Sequence, residues 1–253
     1  MHPQRLGYRE IAAALRQDIR AGRYPPASVL PPEPELAQQY GASRSLVNRA
    51  MSLLAAEGLV RPRQGRGTIV TWLPPMLHSA ARYSRTTRER DGNRGAFDSD
   101  VKAIGLEPQH EITVERAVPP AEVADALGVA HDELCLVRRR RLLASGIPVR
   151  INASWFPLEI AESTVLEEPG PVINGGIKSA LSNLGYRQTT ASERIVPSRL
   201  PTEAEASVLE ISPERSVTEI VHVGQTAEGR SVEVTTTVAP AHYLVIEHEF
   251  PLT

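Results

Sequence analysis

Two groups of side chains in this chain have the types and spacing that grip anions and planar hydrogen-bonding edges. In the first, Ser43, Arg44, Ser45, Asn48 and Arg49 crowd the start of a stretch with apolar residues at helical spacing. Gln64, Gly65 and Arg66 stand in the middle of the basic run Arg61-Pro62-Arg63-Gln64-Gly65-Arg66-Gly67. Arginine can hold a guanine edge through two parallel hydrogen bonds, asparagine can pair with adenine, and serine hydroxyls can bond phosphates. A glycine tip lets backbone approach a groove closely, and Arg66 suits the negative potential of a minor groove. The alternative for Arg49 is a solvated helix side chain. In the second group Arg138, Arg139, Arg140 and Arg141 run consecutively, followed by Asn152 and Ser154. In a strand alternate residues share a face, so Arg138 and Arg140 point one way and Arg139 and Arg141 the other. A pair that faces inward needs anionic partners, either protein carboxylates or a ligand's carboxylate or phosphate. Otherwise the run forms a solvated or salt-bridged sheet edge.

Catalytic chemistry finds little support. The seven histidines, His2, His78, His110, His131, His222, His242 and His248, include no pair four residues apart with a glutamate between them. A glycine-rich phosphate loop and a Gly-x-Ser-x-Gly elbow are both missing. Cys135, the single cysteine, lies in an apolar stretch and reads as a core residue. Pro119-Pro120 and Glu122 read as the start of a helix, not as an acid–base pair. The expectation is a protein that is not an enzyme and carries no cofactor, catalytic residue or metal.

The elements that must position these groups can be read from periodicity and breakers. Ile11, Leu15 and Ile19 mark an amphipathic helix from Tyr8 to Ala21, stopped by Gly22 and Pro25-Pro26. A second runs from Glu33 to Tyr40, with acidic residues in its first turn. After the turn Gly41-Ala42-Ser43, the latter a good N-cap, a third carries Leu46, Val47, Ala50, Leu53 and Leu54 on one stripe until Gly58. Two helices joined by a three-residue turn make a helix-turn-helix. Leu59-Val60 and Ile69-Val70 then bracket the basic tip as two short strands, which together make a winged helix-turn-helix. From Trp72 to about Asp100 periodicity fails and Arg82, Arg85, Arg88, Arg90 and Arg94 accumulate, as in an interdomain linker with room for one short helix, the arginines forming a solvated face or an auxiliary contact to phosphates or to the second domain. Beyond residue 110 the sequence repeats itself: Pro119, Ala124, Leu127, Val129 and Asp132 match Pro201, Ala206, Leu209, Ile211 and Glu214 at a constant offset of 82. Each copy reads as a helix followed by a hairpin, with strands Leu134–Leu143 and Pro148–Trp155 in one and Val217–Thr226 and Ser231–Val238 in the other. Ile177–Leu184 reads as a further helix and Leu244–Phe250 as a last strand. Glu233 falls on the strand that corresponds to the one bearing Asn152 and Ser154. Two related helix–hairpin units sharing one antiparallel sheet give an α+β domain.

Charge divides the chain in the same place. The formal net charge is −2, yet residues 1–75 hold ten arginines against five carboxylates, whereas the remainder holds 18 basic and 25 acidic groups. A basic module followed by an acidic one points to a polyanionic partner for the first. Arginine supplies 26 of the 28 basic residues, with Lys102 and Lys178 the exceptions, a bias that a guanine- and cytosine-rich genome also explains. No stretch is apolar enough for a membrane span, no leader is read at the N-terminus, and one cysteine suits a reducing compartment, so the cytoplasm is expected.

The stretch LPPEPELAQQYGASRSLVNRAMSLLAAEGLVRPRQGRGTIV, residues 30–70, with the preceding YREIAAALRQDIRAGRY, resembles the N-terminal domain of the GntR family of bacterial transcription regulators. The resemblance implies base or phosphate contacts by Arg44 and Asn48 and wing contacts by Gln64, Gly65 and Arg66. It departs from the family at Leu46, where threonine is usual, at Asn48, where arginine is usual, and near Pro34, where a basic residue is usual; a shifted operator preference follows. The carboxy-terminal half is similar to the UTRA effector-binding domain of the HutC-type branch, which shares its fold with chorismate lyase. The residues that carry this are LGVAHDELCLVRRRRLLASGIPVRINASWFP, GGIKSALSNLG and PTEAEASVLEI through GRSVEV. That resemblance implies a small ligand between the halves of the duplicated sheet and a ligand-contacting carboxylate near Glu233. The expected lining is Arg138, Arg140, Asn152, Ser154 and Glu233. Sugar-phosphate-sensing relatives usually carry a second arginine where Leu142 stands and Ser-Leu-Tyr where Gly175-Gly176-Ile177 stand, which argues against a phosphosugar.

The expected organisation is a winged helix-turn-helix over 1–73, a linker over 74–103 and an effector-binding and dimerisation domain over 104–253. The expected partners are double-stranded DNA with a palindromic operator, a small-molecule effector of unknown identity and a second copy of the chain, with no membrane. The expected function is a repressor released by its effector. A lyase-like enzyme that kept a DNA module, and an architectural DNA binder without a ligand, are the competing readings.

Overall fold

The computed structural model describes residues 6–79, 96–170, 173 and 175–249. Contacts divide the chain into two compact units, Met1–Pro74 and Pro75–Thr253.

Among its described residues the first unit has three helices and a hairpin. Helix α1 (Tyr8–Arg20) buries Ile11, Leu15 and Ile19 completely, as their four-residue spacing requires. Helix α2 (Glu33–Gln39) starts behind Pro32, with Pro34 in its first turn, where the missing N–H is harmless. Helix α3 (Arg44–Ala56) is capped by Ser43, whose hydroxyl accepts from the Leu46 N–H and which meets the Ser45 hydroxyl at 2.9 Å. Val47, Ala50 and Leu54 pack onto the α1 stripe, and the Arg16 guanidinium locks α1 to the end of α3 with two bonds to Glu57, 2.8 and 2.6 Å. Strands β1 (Val60–Arg63) and β2 (Gly67–Val70) pair antiparallel, with Arg63 opposite Gly67. Gly65 and Gly67 have φ of 73° and 82°, a region that favours glycine, and they turn the chain between the two strands.

The second unit is built on six strands, β4 (Pro108–Ala117), β5 (Cys135–Ala144), β6 (Ile147–Pro157), β7 (Thr190–Arg199), β8 (Val217–Gln225) and β9 (Ser231–Pro240). They form one antiparallel sheet in the order β4-β5-β6-β9-β8-β7. This order is its own mirror about the β6–β9 contact, and the repeat read in the sequence is the reason. Helices α5 (Ala121–Leu127) and α8 (Glu203–Leu209) are offset by 82 residues, and so are β4 and β7. Helix α5 packs against β9 and α8 against β6, so each copy covers the inner strand of the other. Val123, Leu127, Cys135, Val137, Trp155 and Val234 form the core under α5. The opposite face is covered by α6 (Leu158–Ala161) and α7 (Gly176–Asn183), with Leu136, Phe156, Leu166 and Leu181 beneath them.

Strands β4 and β7 go beyond the strands that periodicity marks. Both are edge strands whose residues stay half-exposed or exposed throughout, so charge and alternation on two wet faces hide the period. The segment 74–103 also differs from a simple linker. Met76–Ser79 forms strand β3, paired in parallel with β10 (Leu244–Glu247), and Ala96–Ala103 forms helix α4, which buries Phe97 and Val101 and packs on β4. Arg82, Arg85, Arg88, Arg90 and Arg94 lie outside the described residues, as does Phe250. Among the described residues no helix is long and apolar enough to cross a membrane.

Cys135 is fully buried in β5, and burial, with a smaller contribution from Glu133, pushes its thiol up to about 11. Since the thiolate is the nucleophile, folded protein at pH 8 is expected to resist iodoacetamide and to label only after unfolding, read by mass spectrometry. Rapid labelling of the folded chain would mean that β5 opens.

Candidate functional site

All eight residues expected to meet nucleic acid are exposed: Ser43, Arg44, Ser45, Asn48 and Arg49 on and around the first turns of α3, and Gln64, Gly65 and Arg66 at the hairpin tip. The guanidinium groups of Arg44 and Arg66 have no hydrogen-bonding or ionic partner among the described residues, the Arg66 backbone N–H being bonded to the Arg63 carbonyl at 3.0 Å. A pair of extended, unneutralised guanidinium groups on one basic unit is suited to phosphates and base edges. Two long side chains of α3, Asn48 and Arg49, are already held. Asn48 Nδ2 donates to Glu33 Oε1 at 3.1 Å, so base pairing by Asn48 must compete with a contact to α2. The Arg49 guanidinium lies 4.3 Å from the centre of the Tyr8 ring, a cation–π contact that orients this exposed helix side chain. Tyr8 itself is held below the usual phenol range by the Arg9 hydrogen bond and charge, with Arg49 adding to it. Sequence reasoning misses Tyr8 and Glu33 as part of this surface, because their distance in sequence from α3 gives no hint of contact.

In the second unit, cross-strand register builds a polar row. Arg138, Ser154, Thr235, His222 and Glu193 are successive neighbours on β5, β6, β9, β8 and β7, and Arg140, Asn152 and Thr237 form the row beside it. Arg140 Nη2 donates to Ser154 Oγ at 2.9 Å. Ser154 Oγ lies 2.6 Å from Thr235 Oγ1, which donates to Glu233 Oε1 at 2.8 Å. Because the Thr235 proton goes to the carboxylate, Ser154 must donate to Thr235, and the donors run one way from Arg140 to Glu233. Gln188 Nε2 closes the far end on Glu233 Oε2 at 2.7 Å. It lies flat over Gly224, where any side chain would collide with it at 2.4 Å. Thus Arg140, Ser154 and Glu233 are joined in one network, with Asn152 beside it. The Oδ1 of Asn152 and the Oε1 of Gln188 are buried with no partner among the described residues, two acceptors that suit a donor from a ligand.

Arg138 plays a different part. It is 2% exposed, and its Nη1 donates to the Leu166 and Glu168 carbonyls at 2.6 and 3.0 Å. Burial lowers its basicity, with Glu168 acting against this. The place of an anionic partner is therefore taken by the dipoles of a backbone segment that closes over this face, and Arg138 anchors that segment. The odd arginines face the other way and are salt-bridged: Arg139 to Glu115, and Arg141 to Glu111 and Glu210. Sequence reasoning also misses Lys178, His222, Glu193, Thr235 and Gln188; they are scattered along the chain and share only a place on this face.

The profile of bacterial regulatory proteins of the gntR family matches residues 7–70, and that of the UTRA domain matches residues 104–244. The chain belongs to the GntR family. An HTH-type transcriptional regulator of Streptomyces coelicolor is 31% identical over 239 residues, 92% of this chain and 88% of that one. The HTH-type transcriptional repressor NagR of Bacillus subtilis is 32% identical over 155 residues, 61% of this chain and 59% of that one. The crystal structure of PhnF from Mycobacterium smegmatis shares the fold with a TM-score of 0.58 at 19% identity, covering 96% of this chain and all of that one.

This GntR-family member is thus a DNA-binding transcriptional regulator with a UTRA domain that takes a small-molecule effector, and it is not an enzyme. Two positions expected to lack polar anchors can be placed in the UTRA domain. Leu142 is 2% exposed on β5 and belongs to the core. Gly175 and Gly176 have φ of 77° and 75° at the start of α7, and a side chain at Gly175 would lie 2.9 Å from Ser179.

Proposed function

We propose that this regulator is a homodimeric, cytoplasmic repressor that binds a palindromic operator and leaves it when an anionic metabolite occupies the polar face of the UTRA sheet. The DNA contacts are assigned to Ser43, Arg44, Ser45, Asn48, Arg49, Gln64, Gly65 and Arg66, within a winged helix-turn-helix spanning 1–73. A single recognition helix gives too small an interface for tight specific binding, and two half-sites about one helical turn apart supply the rest. The observation that carries the effector reading is the directed network from Arg140 through Ser154 and Thr235 to Glu233, flanked by the unpartnered oxygens of Asn152 and Gln188. A charged donor at one end and acceptors at the other suit a small carboxylate that also carries hydroxyl or amine groups. The missing polar anchors at Leu142 and Gly175-Gly176-Ile177 weigh against a phosphosugar. Arg138 belongs to this site as the group that holds its cover.

Sequencing the DNA fragments retained by the purified protein identifies the operator, and metabolites of the neighbouring genes are then titrated into a gel shift. A two-fold symmetric footprint and release by one carboxylate, lost in Arg140→Met, are expected. Release works by population shift, so operator affinity that no such metabolite changes would leave a DNA binder without an effector.

A further inference from the structure

We infer that a part-buried polar chain, Lys178 to His222 to Glu193 to His78, couples occupancy of the effector face to the anchoring of β3, the strand the backbone enters on leaving the DNA-binding unit. The inference deepens the effector reading above and rests on it for the location of the ligand.

The direction of every bond in the chain follows from chemistry. An ammonium has donors and no acceptor, so Lys178 Nζ donates to His222 Nε2 across 3.3 Å. His222 therefore carries its proton on Nδ1 and donates it to Glu193 Oε1 at 3.3 Å. The second oxygen of Glu193 meets His78 Nε2 at 3.0 Å, with His78 the donor. His78 and His222 are 4% and 5% exposed, so a bond lost within the chain is poorly replaced by water. At one end, Lys178 lies on α7, which covers the polar face, and His222 is the direct neighbour of Thr235 in the row described above. Lys178 is one of only two lysines in a chain that otherwise uses arginine, and it offers a compact charge that an incoming carboxylate can take over.

At the other end, His78 is the third residue of β3. A parallel pair of four-residue strands has little stability of its own, so β3 depends on its buried side chains, Met76 and His78, to stay docked. Met76 follows Pro74-Pro75 directly, where the first compact unit ends. A carboxylate that captures the Lys178 ammonium withdraws a donor from His222. The imidazole then reorients or changes tautomer, and the grip of Glu193 on His78 changes with it. What moves is the anchoring of the first strand after the DNA-binding unit, a local equilibrium that both ends of the chain bias.

Hydrogen exchange of the full-length protein without added effector tests the coupling. Lys178→Met and Glu193→Gln are each expected to raise exchange of peptides 76–79 and 244–247 at least about threefold. The double variant should exceed neither single, because both break one chain, while peptide 151–157 in the middle of the sheet stays protected. Wild-type exchange at 76–79 in Lys178→Met, or effects that multiply in the double variant, would overturn the inference. If Lys178→Met also loosens 151–157, the chain is probed from its other end. His78→Gln must then raise exchange in 176–183, and no change there overturns the coupling. No metabolite enters the measurement, so its failure leaves the effector reading intact. A regulator that no metabolite releases would likewise leave the coupling measurable.

Discussion

Arg44→Ala is expected to weaken specific operator binding by about 1–3 kcal/mol, roughly 5- to 150-fold in Kd, in a gel-shift titration at fixed salt. Arg44 is the first residue of α3, exposed, directly after the Ser43 cap, and its guanidinium has no ionic or hydrogen-bonding partner among the described residues. It therefore gives up no protein contact when it meets DNA, and its loss should not disturb the fold. Asn48 is different because Glu33 already accepts from its amide. If Arg44 reads a base, the alanine variant also loses discrimination at one operator position. If it binds only phosphate, affinity falls uniformly and the salt slope drops by about one. Unchanged affinity would remove Arg44 from the interface and leave the wing, through Arg66, as the main reader.

Arg138→Ala is expected to lower the stability of the second unit by about 2–5 kcal/mol through a cavity and unsatisfied buried acceptors. The guanidinium is buried in the sheet, and its removal leaves the Leu166 and Glu168 carbonyls without their donor. Trp155, 3% exposed in β6, reports this unit, whereas Trp72 packs on the core of the first, so denaturant unfolding followed through Trp72→Phe isolates the signal. The two units must be analysed as separate transitions. An Arg138→Ala protein of native stability that no longer answers to its effector would instead make Arg138 a direct ligand anchor. Arg140, half-buried and donating to Ser154 on this face, is the control.

What the chain encodes locally is legible in its sequence. The three helices of the first unit, the Ser43 cap and the Gly41 and Gly58 breaks follow from short-range periodicity and capping, which act within a turn or two. The duplication is legible because two copies of one pattern reinforce each other, and the mirror-symmetric strand order follows from it. The strict alternation of a strand is enough by itself to separate Arg138 and Arg140 from Arg139 and Arg141.

Register and long-range contact are decided only in three dimensions. A single residue of slip between β9 and β8 would take Thr235 away from His222, and no local signal sets that pairing. The edge strands β4 and β7 are hidden because both of their faces remain wet. Whether Arg138 meets a ligand or a carbonyl depends on a segment 28 residues away. The partners of Glu193 come from residues 29 and 115 positions distant. Sequence determined which groups could bind DNA and an anion; the packing of β3, β7, β8 and α7 decided which of them are joined, because buried polar atoms take whatever partner the fold brings within about 3 Å.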